Sequence, residues 1–279
     1  MSGAATSSGT FVAPDGCPIA FTLHAMPPEG AARPRIVLIH SLALDRSVWD
    51  GVVPLLTPHA DVLAYDCRGH GQSGRPKMTF TPELFAADLA GLLDHVHWDD
   101  AAVAGCSMGG CVAQAFAGHY PGRTRALALI DTTAWYGPTA PADWRERAAT
   151  AATKGLQALS GFQATRWVSD AFREANPELM RAKLDVFLAN DINCYQATCE
   201  MLGDADLRHY QSAMRMPAVV MVGDEDYAAP VAMAEQMQQA IPNATLSVLR
   251  GVRHLTPIEC PGVIADEIKT LMKRVPAPG

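Results

Sequence analysis

The sequence predicts an α/β fold with a mostly parallel central sheet, flanking helices and a helical segment inserted between two strands. Three observations lead to this prediction. Short apolar runs alternate with helix-like patterns through most of the chain, as is typical of a parallel sheet. Residues 35–39 form an apolar, β-branched run that suits a strand buried on both faces. The stretch 134–210 interrupts the alternation, because it has helical spacing and no convincing strand.

The individual elements can be followed in order along the chain. Segments 10–13 and 18–23 flank the turn sequence Pro14-Asp15-Gly16, so we expect an antiparallel hairpin there. We expect residues 1–133 and 211–279 to form the core domain, and residues 134–210 to form a helical cap. The predicted strands of the parallel sheet are 35–39, 61–65, 101–105, 127–130, 217–222 and 245–249, and the predicted core helices include 82–96 and 231–240.

Composition excludes several classes of function. The 279 residues are 49% hydrophobic and 18% charged, which fits one hydrophobic core with a modest insertion. A net charge of −7 argues against nucleic acid and anionic membrane surfaces as partners. The sequence has no apolar run long enough to span a membrane, and its first ten residues lack the features of a signal peptide. Seven scattered cysteines without a C-x-x-C pair favour a reducing compartment, so we expect a cytoplasmic protein.

The sequence G-x-S-x-G occurs at Gly105-Cys106-Ser107-Met108-Gly109, between a predicted strand and a small-residue helix. A serine in such a sharp strand-to-helix turn needs glycine on both sides, because the backbone is strained and closely packed there. The turn lifts the hydroxyl clear of the sheet and aims the helix N-terminus at it. The pattern therefore predicts Ser107 as a nucleophile.

A serine nucleophile needs a base to accept its proton, and three histidines follow Ser107 in the chain. His119 lies in or just past the helix that follows the serine and cannot fold back onto the hydroxyl. His209 belongs to the predicted cap and follows no strand. His254 comes shortly after the last predicted strand, where catalytic groups gather in open α/β sheets. We therefore predict His254 as the base.

The acid that orients this histidine is expected in the loop after the preceding strand. The segment Gly223-Asp224-Glu225-Asp226 supplies three carboxylates there. We favour Asp226, because it stands after the loop has left the strand and before the next helix begins. Asp224 is the alternative, and part of this acidic run is expected to cap that helix.

An oxyanion hole requires two backbone N–H groups aimed at the reacting carbonyl oxygen. One is expected from Met108, the residue after the nucleophile. The second is expected from the loop after an earlier strand, which reads His40-Ser41-Leu42-Ala43, and we predict the N–H of Leu42.

Ser107, Asp226, His254 and the His40–Leu42 loop together resemble the α/β-hydrolase superfamily, over about residues 11–268. Further segments resemble its 3-oxoadipate enol-lactonase branch: Asp45 with Trp49, Tyr65-Asp66-Cys67-Arg68-Gly69-His70-Gly71-Gln72-Ser73, Ser107-Met108-Gly109-Gly110, Arg166-Trp167, Ala171-Phe172-Arg173 and Asp204-Ala205-Asp206-Leu207-Arg208. The resemblance implies an α/β-hydrolase fold and a cofactor-independent serine hydrolase. It also implies a small-molecule ester or lactone substrate, most specifically an enol-lactone of aromatic catabolism.

Substrate choice is expected to depend on the cap. Trp135, Trp144, Trp167 and Arg166 are the candidate pocket residues, although aromatic residues in a helical segment also serve as its core. Two aromatic residues, Trp135 and Tyr136, stand after strand 127–130, where the enol-lactonase pattern suggests smaller or basic residues. The chain also has Ala43 where a glycine is frequent in this loop.

Other motifs have simpler interpretations. The run His95-Val96-His97-Trp98-Asp99-Asp100 lacks the final histidine of a metallo-hydrolase motif, so we expect no metal. Arg68-Gly69-His70-Gly71 is interpreted as a loop packed beneath the site rather than a phosphate-binding loop. Cys106 is interpreted as a packed core thiol.

Three alternative functions remain open at this point. A C–C bond hydrolase would use the same three residues, but that class usually has a tryptophan after the histidine, where this chain has Leu255, and a glycine-rich loop in place of His40–Ala43. A dehalogenase or an epoxide hydrolase would need an aspartate in place of Ser107. A ligand receptor that reuses the hydrolase fold could keep all three residues.

Overall fold

The computed structural model describes residues 5–25 and 33–275, which form one eight-stranded sheet in the order β1-β2-β4-β3-β5-β6-β7-β8. Residues 1–4 and 276–279, at the ends of the predicted core domain, and residues 26–32 lie outside the described part. The strands are β1 (Ala5–Val12), β2 (Pro18–Ala25), β3 (Arg35–Ile39), β4 (Asp61–Tyr65), β5 (Ala101–Cys106), β6 (Thr124–Ile130), β7 (Ala218–Gly223) and β8 (Ala244–Leu249).

The strand pairing confirms the predicted α/β class. β1 and β2 form the expected hairpin, which is longer than predicted, and β2 pairs antiparallel with β4. All other neighbouring strands pair parallel. The strand predicted as 127–130 begins three residues earlier, at Thr124, because Thr124 and Ala126 also pair with β5.

Helices flank the sheet and fill the connection between β6 and β7. One of the longest helices starts at Pro82. Thr81 caps its N-terminus, because the Thr81 side chain accepts a hydrogen bond from the N–H of Leu84, and proline suits the first helical position. The α-helices are α1 (Val53–Leu56), α2 (Pro82–His95), α3 (Met108–His119), α4 (Ala140–Lys154), α5 (Ser160–Trp167), α6 (Asp170–Ala175), α7 (Pro177–Leu188), α8 (Ile192–Asp204), α9 (Arg208–Gln211), α10 (Val231–Ala240), α11 (Thr256–Glu259) and α12 (Pro261–Met272).

The chain reverses its direction of travel across the sheet between β3 and β5. β4 lies on one side of β3, and the chain then returns to place β5 on the other side. Ligands of open α/β sheets bind at such a switch point, outside the carboxyl ends of the strands. Ser107 directly follows β5, and the predicted oxyanion loop directly follows β3.

The helical segment α4–α9 is anchored to the loops at this edge of the sheet. The N–H of Leu255 donates to the carbonyl oxygen of Trp167 at 2.7 Å. The side-chain amide of Asn190 donates to the carbonyl oxygen of Ala43 at 2.8 Å. Lys183, which is buried, donates to the Ser47 hydroxyl at 2.7 Å. These contacts fix the helical segment above the switch point. The division of the chain into a core domain and a helical cap remains a prediction.

Candidate active site

Ser107 occupies the sharp turn between β5 and α3. Its φ is 55° and its ψ is −115°, a conformation that costs a non-glycine residue about 1–3 kcal/mol. Close packing permits the turn only with glycine nearby: a Cβ on Gly105 would collide with the carbonyl of Gly109. A Cβ on Gly109 would in turn lie 2.7 Å from the carbonyl oxygen of His40. The first turn of α3 therefore rests against the end of β3, with the serine at the switch point.

The three residues predicted as nucleophile, base and acid form one hydrogen-bonded chain. His254 Nε2 lies 2.8 Å from Ser107 Oγ, and His254 Nδ1 lies 2.8 Å from Asp226 Oδ2. All three side chains are buried. Because the carboxylate can only accept, Nδ1 carries the proton and Nε2 is left to accept from the serine hydroxyl.

The two candidate acids, Asp226 and Asp224, lie in the loop after β7 and have different hydrogen-bond partners. The second oxygen of Asp226 accepts hydrogen bonds from the N–H groups of Ala228 and Ala229, at 2.7 and 3.0 Å, so both carboxylate oxygens are used. Asp224 is exposed and accepts instead from the N–H of Gly251, at 2.7 Å. Asp224 thus braces the loop after β8 and does not reach the histidine ring.

The other two candidate histidines lie away from this chain of hydrogen bonds. His119 Nε2 pairs with the Tyr210 hydroxyl at 2.7 Å. His209 Nδ1 pairs with the carbonyl oxygen of Asp206 at 2.9 Å. His119 therefore joins α3 to α9, and His209 makes a local contact within the helical segment.

The predicted oxyanion loop is braced from below by two histidines whose rings pack against each other at a tilt. His40 Nδ1 donates to the carbonyl oxygen of Ser41 at 2.7 Å, and its Nε2 accepts from the N–H of Cys67 at 2.9 Å. The His70 ring lies 5.1 Å from the His40 ring. Burial lowers the pKa of His40 to about 4 and that of His70 to about 3, so both rings are neutral. The Gly69–Gly71 turn therefore packs under the oxyanion loop, and the His70 ring contacts the His40 ring.

Leu42 and Met108 are the residues predicted to supply the oxyanion donors. Leu42 lines the cavity beside Ser107, and Met108 is the first residue of α3, where N–H groups have no partner within the helix. Within the described part of the chain, neither N–H donates to an acceptor. Next to them, Ala43 has a φ of 56°, which explains why glycine is frequent at this position.

Asp131 was not among the predicted site residues, yet it connects the two loops that carry Asp226 and His254. It is buried at the end of β6, and its Oδ2 accepts from the N–H and hydroxyl of Thr256 at 2.9 and 2.7 Å. Burial, and then the charge of Asp226, raises the pKa of Asp131 well above its usual range. Its position directly after a strand was the signal that could have identified it.

A cavity of about 570 Å³ opens onto Ser107 and His254 beneath the helical segment. This volume is within the usual range for small-molecule sites, about 300–1,000 Å³. The helical segment contributes the predicted Trp144, Trp167 and Arg166. It also contributes residues that were not among the predicted site residues, including Tyr136, Arg147, Phe162 and Gln163.

Trp135 does not line the cavity, contrary to expectation. It forms an isolated β-bridge with Asp206, and the guanidinium of Arg208 stacks over its ring at 3.9 Å. Successive side chains of an extended backbone point in opposite directions, so Tyr136 faces the cavity when Trp135 faces away. Tyr136 packs edge-on against Trp144, with ring centroids 5.3 Å apart.

Two further observations concern the reactivity of the Cys106 thiol and the capacity of the described residues to hold a metal ion. Burial raises the pKa of Cys106 well above its usual range, which keeps this residue, next to the serine, a neutral packed thiol. Among residues 5–25 and 33–275, no group of three or more His, Cys, Asp or Glu side chains could hold a metal ion. In the same residues, no helix has the length and apolar character needed to cross a membrane.

The chain belongs to the alpha/beta hydrolase fold family, whose model matches residues 34–261. It is a hydrolase of the class that acts on esters or lactones. It is 30% identical to 3-oxoadipate enol-lactonase 2 of Acinetobacter baylyi over 244 residues, 88% of this chain and 90% of the relative.

Solved structures give the same assignment. The enol-lactonase from Burkholderia xenovorans LB400 superposes with a TM-score of 0.89 at 32% identity, covering 95% of this chain and all of that one. A thermophilic esterase from Thermogutta terrifontis, solved with malate bound, superposes with a TM-score of 0.86 at 27% identity, covering 98% of this chain and 99% of that one.

Proposed function

We propose that this hydrolase opens an enol-lactone, such as 3-oxoadipate enol-lactone, through an acyl-enzyme on Ser107. The observation that carries the acyl-enzyme is the continuous hydrogen-bonded chain from Ser107 Oγ through His254 to Asp226. The choice of an enol-lactone is supported by the similarity to the enol-lactonases of A. baylyi and B. xenovorans.

The reaction begins when His254 Nε2 takes the proton of the Ser107 hydroxyl as Oγ attacks the lactone carbonyl carbon. The tetrahedral intermediate collapses, the ring C–O bond breaks, and the imidazolium returns the proton to the leaving enol oxygen. The enol becomes a ketone, which makes this leaving group favourable. Water, deprotonated by His254, then attacks the acyl carbon and frees Ser107. Asp226 holds the imidazole tautomer and stabilises the imidazolium.

The N–H groups of Leu42 and Met108 are proposed to hold the oxyanion of both intermediates. They fit this role because they have no acceptor in the described structure and flank the serine at the switch point. The packed histidines His40 and His70 support the loop that carries Leu42. No cofactor takes part in these steps, and seven free cysteines are consistent with a reducing, cytoplasmic location.

The test is a substrate panel that contains enol-lactones, saturated lactones, acyclic esters and a meta-ring-fission product. Wild-type enzyme and the Ser107→Ala variant are assayed side by side, with Ser212→Ala as an exposed serine control. We expect Ser107→Ala to lower kcat by at least about 10⁴-fold and Ser212→Ala to leave it unchanged. Full esterase activity in Ser107→Ala would refute the acyl-enzyme.

A carboxylesterase acting on an acyclic ester is the second candidate. It is favoured by the size of the cavity and by the similarity to the Thermogutta esterase. Acyclic esters turned over faster than every lactone would select it. Cleavage of the meta-ring-fission product would select a C–C bond hydrolase, which the buried Leu255 after His254 disfavours. Absence of turnover on the whole panel would favour a ligand receptor.

A further inference from the structure

The loop that carries Leu42 is a four-residue turn with a strained third position. The N–H of Leu44 donates to the carbonyl oxygen of Ser41, so Leu42 and Ala43 are the two central residues. This closing hydrogen bond is long, at 3.3 Å. Ala43 has a φ of 56°, the left-handed value that the third position of a type II turn requires and that glycine adopts most readily. With alanine there, the turn is weakly held by its own contacts.

External support for this turn comes from the end of helix α7. The side-chain amide nitrogen of Asn190 lies 2.8 Å from the carbonyl oxygen of Ala43, and 3.0 Å from those of Val186 and Phe187. All three neighbours are acceptors, so the NH₂ group of the amide must face them. Phe187 is buried, and its ring packs edge-on against Trp167 with centroids 5.9 Å apart. Asn190 therefore joins a well-packed helix end to the strained residue of the turn.

A second residue of α7 holds the chain just beyond the turn. Lys183 is buried and donates to the carbonyl oxygen of Ser47 at 2.8 Å and to the Ser47 hydroxyl at 2.7 Å. Ser47 lies in the short 3-10 helix Arg46–Trp49, which follows the turn directly along the chain. A buried ammonium group needs such partners, because burial without them is costly. Helix α7 is therefore attached both to the turn and to the segment after it.

These two side chains act at a distance from the substrate. Neither Asn190 nor Lys183 lines the catalytic cavity, whereas Leu42 does. His40 and His70, which support the same loop, lie in the segments after β3 and β4, while Asn190 and Lys183 belong to the helical segment. The oxyanion loop is thus held between the sheet and the helical segment, and its conformation depends on both.

We infer that Asn190 is a positioning residue for the oxyanion hole. By holding the carbonyl group of Ala43, Asn190 keeps the turn in the conformation that presents the Leu42 N–H to the reacting carbonyl oxygen. Preorganised donors stabilise a developing oxyanion most, since they need no reorganisation at the moment of reaction. Docking of α7 and assembly of the oxyanion hole are thereby coupled. This role rests on the proposed function, in which Leu42 supplies one of the two donors.

Two substitutions of Asn190 test this role. Asn190→Ala removes the donor, and Asn190→Asp keeps the shape of the side chain but presents only acceptors to the three carbonyl oxygens. We expect both variants to lower kcat by about 10- to 100-fold, with KM changed by less than about threefold, because the oxyanion hole acts in the transition state. The affinity for a trifluoromethyl ketone, whose adduct with Ser107 carries an oxyanion, is expected to fall by the same factor as kcat/KM.

Asn176→Ala is the matched control, because the Asn176 amide also ends a helix: it donates to the carbonyl oxygen of Phe172 on α6, at 2.9 Å. This variant is expected to change neither kcat nor the inhibitor affinity. Ala43→Gly in the Asn190→Ala background is expected to recover at least about threefold in kcat, since glycine adopts the left-handed φ without a steric cost. If Asn190→Ala raised KM at unchanged kcat, or lost kcat without this recovery, Asn190 would only support the fold of the helical segment.

Amide hydrogen exchange keeps this test separate from the hydrolase proposal, because it needs no turnover. Exchange in a peptide that covers the turn is followed by mass spectrometry in wild type, Asn190→Ala and Asn176→Ala. We expect only Asn190→Ala to speed exchange of the Leu44 N–H, which closes the turn, by about 10-fold. If no ester or lactone is hydrolysed but exchange changes in this way, the proposed function fails and the hold of Asn190 on the turn stands. If esters or lactones are hydrolysed and Asn190→Ala exchanges like wild type, the positioning role fails alone.

Discussion

Asp131 holds Thr256 by two hydrogen bonds, from its N–H at 2.9 Å and from its hydroxyl at 2.7 Å, to one carboxylate oxygen. Thr256 lies two residues after His254, and the other Asp131 oxygen faces the N–H of Gly223, three residues before Asp226, at 3.4 Å. One buried carboxylate therefore connects the base loop and the acid loop to the end of β6. Asp131 is a positioning residue, since it acts through its neighbours.

Asp131→Asn tests this arrangement. An amide presents one NH₂ group, which must face either the donors of Thr256 or the donor of Gly223, so one hydrogen bond becomes a donor–donor conflict. We expect a loss of about 2–3 kcal/mol in the free energy of unfolding. We also expect kcat to fall by about 10- to 100-fold with a smaller change in KM, because the loops are displaced. Urea unfolding and steady-state kinetics measure the two effects.

Asp224→Asn is the matched control for this substitution. Asp224 is exposed and accepts a single hydrogen bond, from the N–H of Gly251, which an amide oxygen can replace. The expected change in stability is below about 0.5 kcal/mol, with no change in kcat. Similar effects for both variants would mean that Asp131 has no special positioning role.

The positions of the strands, the turn around Ser107 and the order of the three predicted catalytic residues could be predicted from the sequence. Each depends on local patterns or on chain order: β-branched runs, glycine at a strained turn, and polar residues directly after strands. His254 was identified by its place after β8, and Asp226 by its place after β7. The sheet geometry then brings them together from 28 residues apart along the chain.

The cavity lining was less predictable, because it depends on how the helices of the cap rotate about their axes. Trp135 and Tyr136 are adjacent in sequence, and only the bridge to Asp206 decides which ring faces the cavity. Arg147 and Gln163 lie on helices whose sequence does not indicate the partner that each face meets. The role of Asp131 depends on a contact with Thr256, 125 residues later, which no local pattern indicates.

Stability should depend on pH through His40. Burial lowers its pKa to about 4 in the folded protein, against 6.5 for an unperturbed histidine. Below pH 6.5 the unfolded chain binds a proton that the folded protein does not, so stability is lost as the pH falls from 6.5 towards 4. By about pH 5 this loss amounts to about 2 kcal/mol relative to neutral pH.

The His40→Gln variant isolates this effect. At about pH 7.5 we expect it to be about 2–3 kcal/mol less stable than wild type, because the paired contacts to Ser41 and Cys67 are weakened. At about pH 5 the gap is expected to narrow by about 2 kcal/mol, since only wild type carries the loss linked to His40, while the loss linked to His70 is common to both proteins. Urea unfolding at both pH values measures the gap. The exposed His59→Gln is the control, and a gap that stays constant with pH would contradict a neutral, buried His40.

Gly109 sets the distance between α3 and β3, and with it the place of Ser107 relative to the oxyanion loop. In Gly109→Ala, the new Cβ would lie 2.7 Å from the carbonyl oxygen of His40 and closer still to that of Ile39. Both obstacles are backbone atoms, which cannot move without displacing the loop. We expect at least about 3 kcal/mol of lost stability and loss of most hydrolytic activity.

Gly262→Ala provides the comparison, because nothing lies within 4 Å of a Cβ at Gly262 and this residue is in helix α12. Alanine favours a helix over glycine by about 1 kcal/mol, so this variant is expected to be more stable, with unchanged activity. The two substitutions are chemically identical and are expected to shift Tm in opposite directions. A Gly109→Ala enzyme that retained wild-type activity and Tm would show that α3 can move away from β3 without disturbing Ser107, and that the close approach at Gly109 is not what fixes the nucleophile.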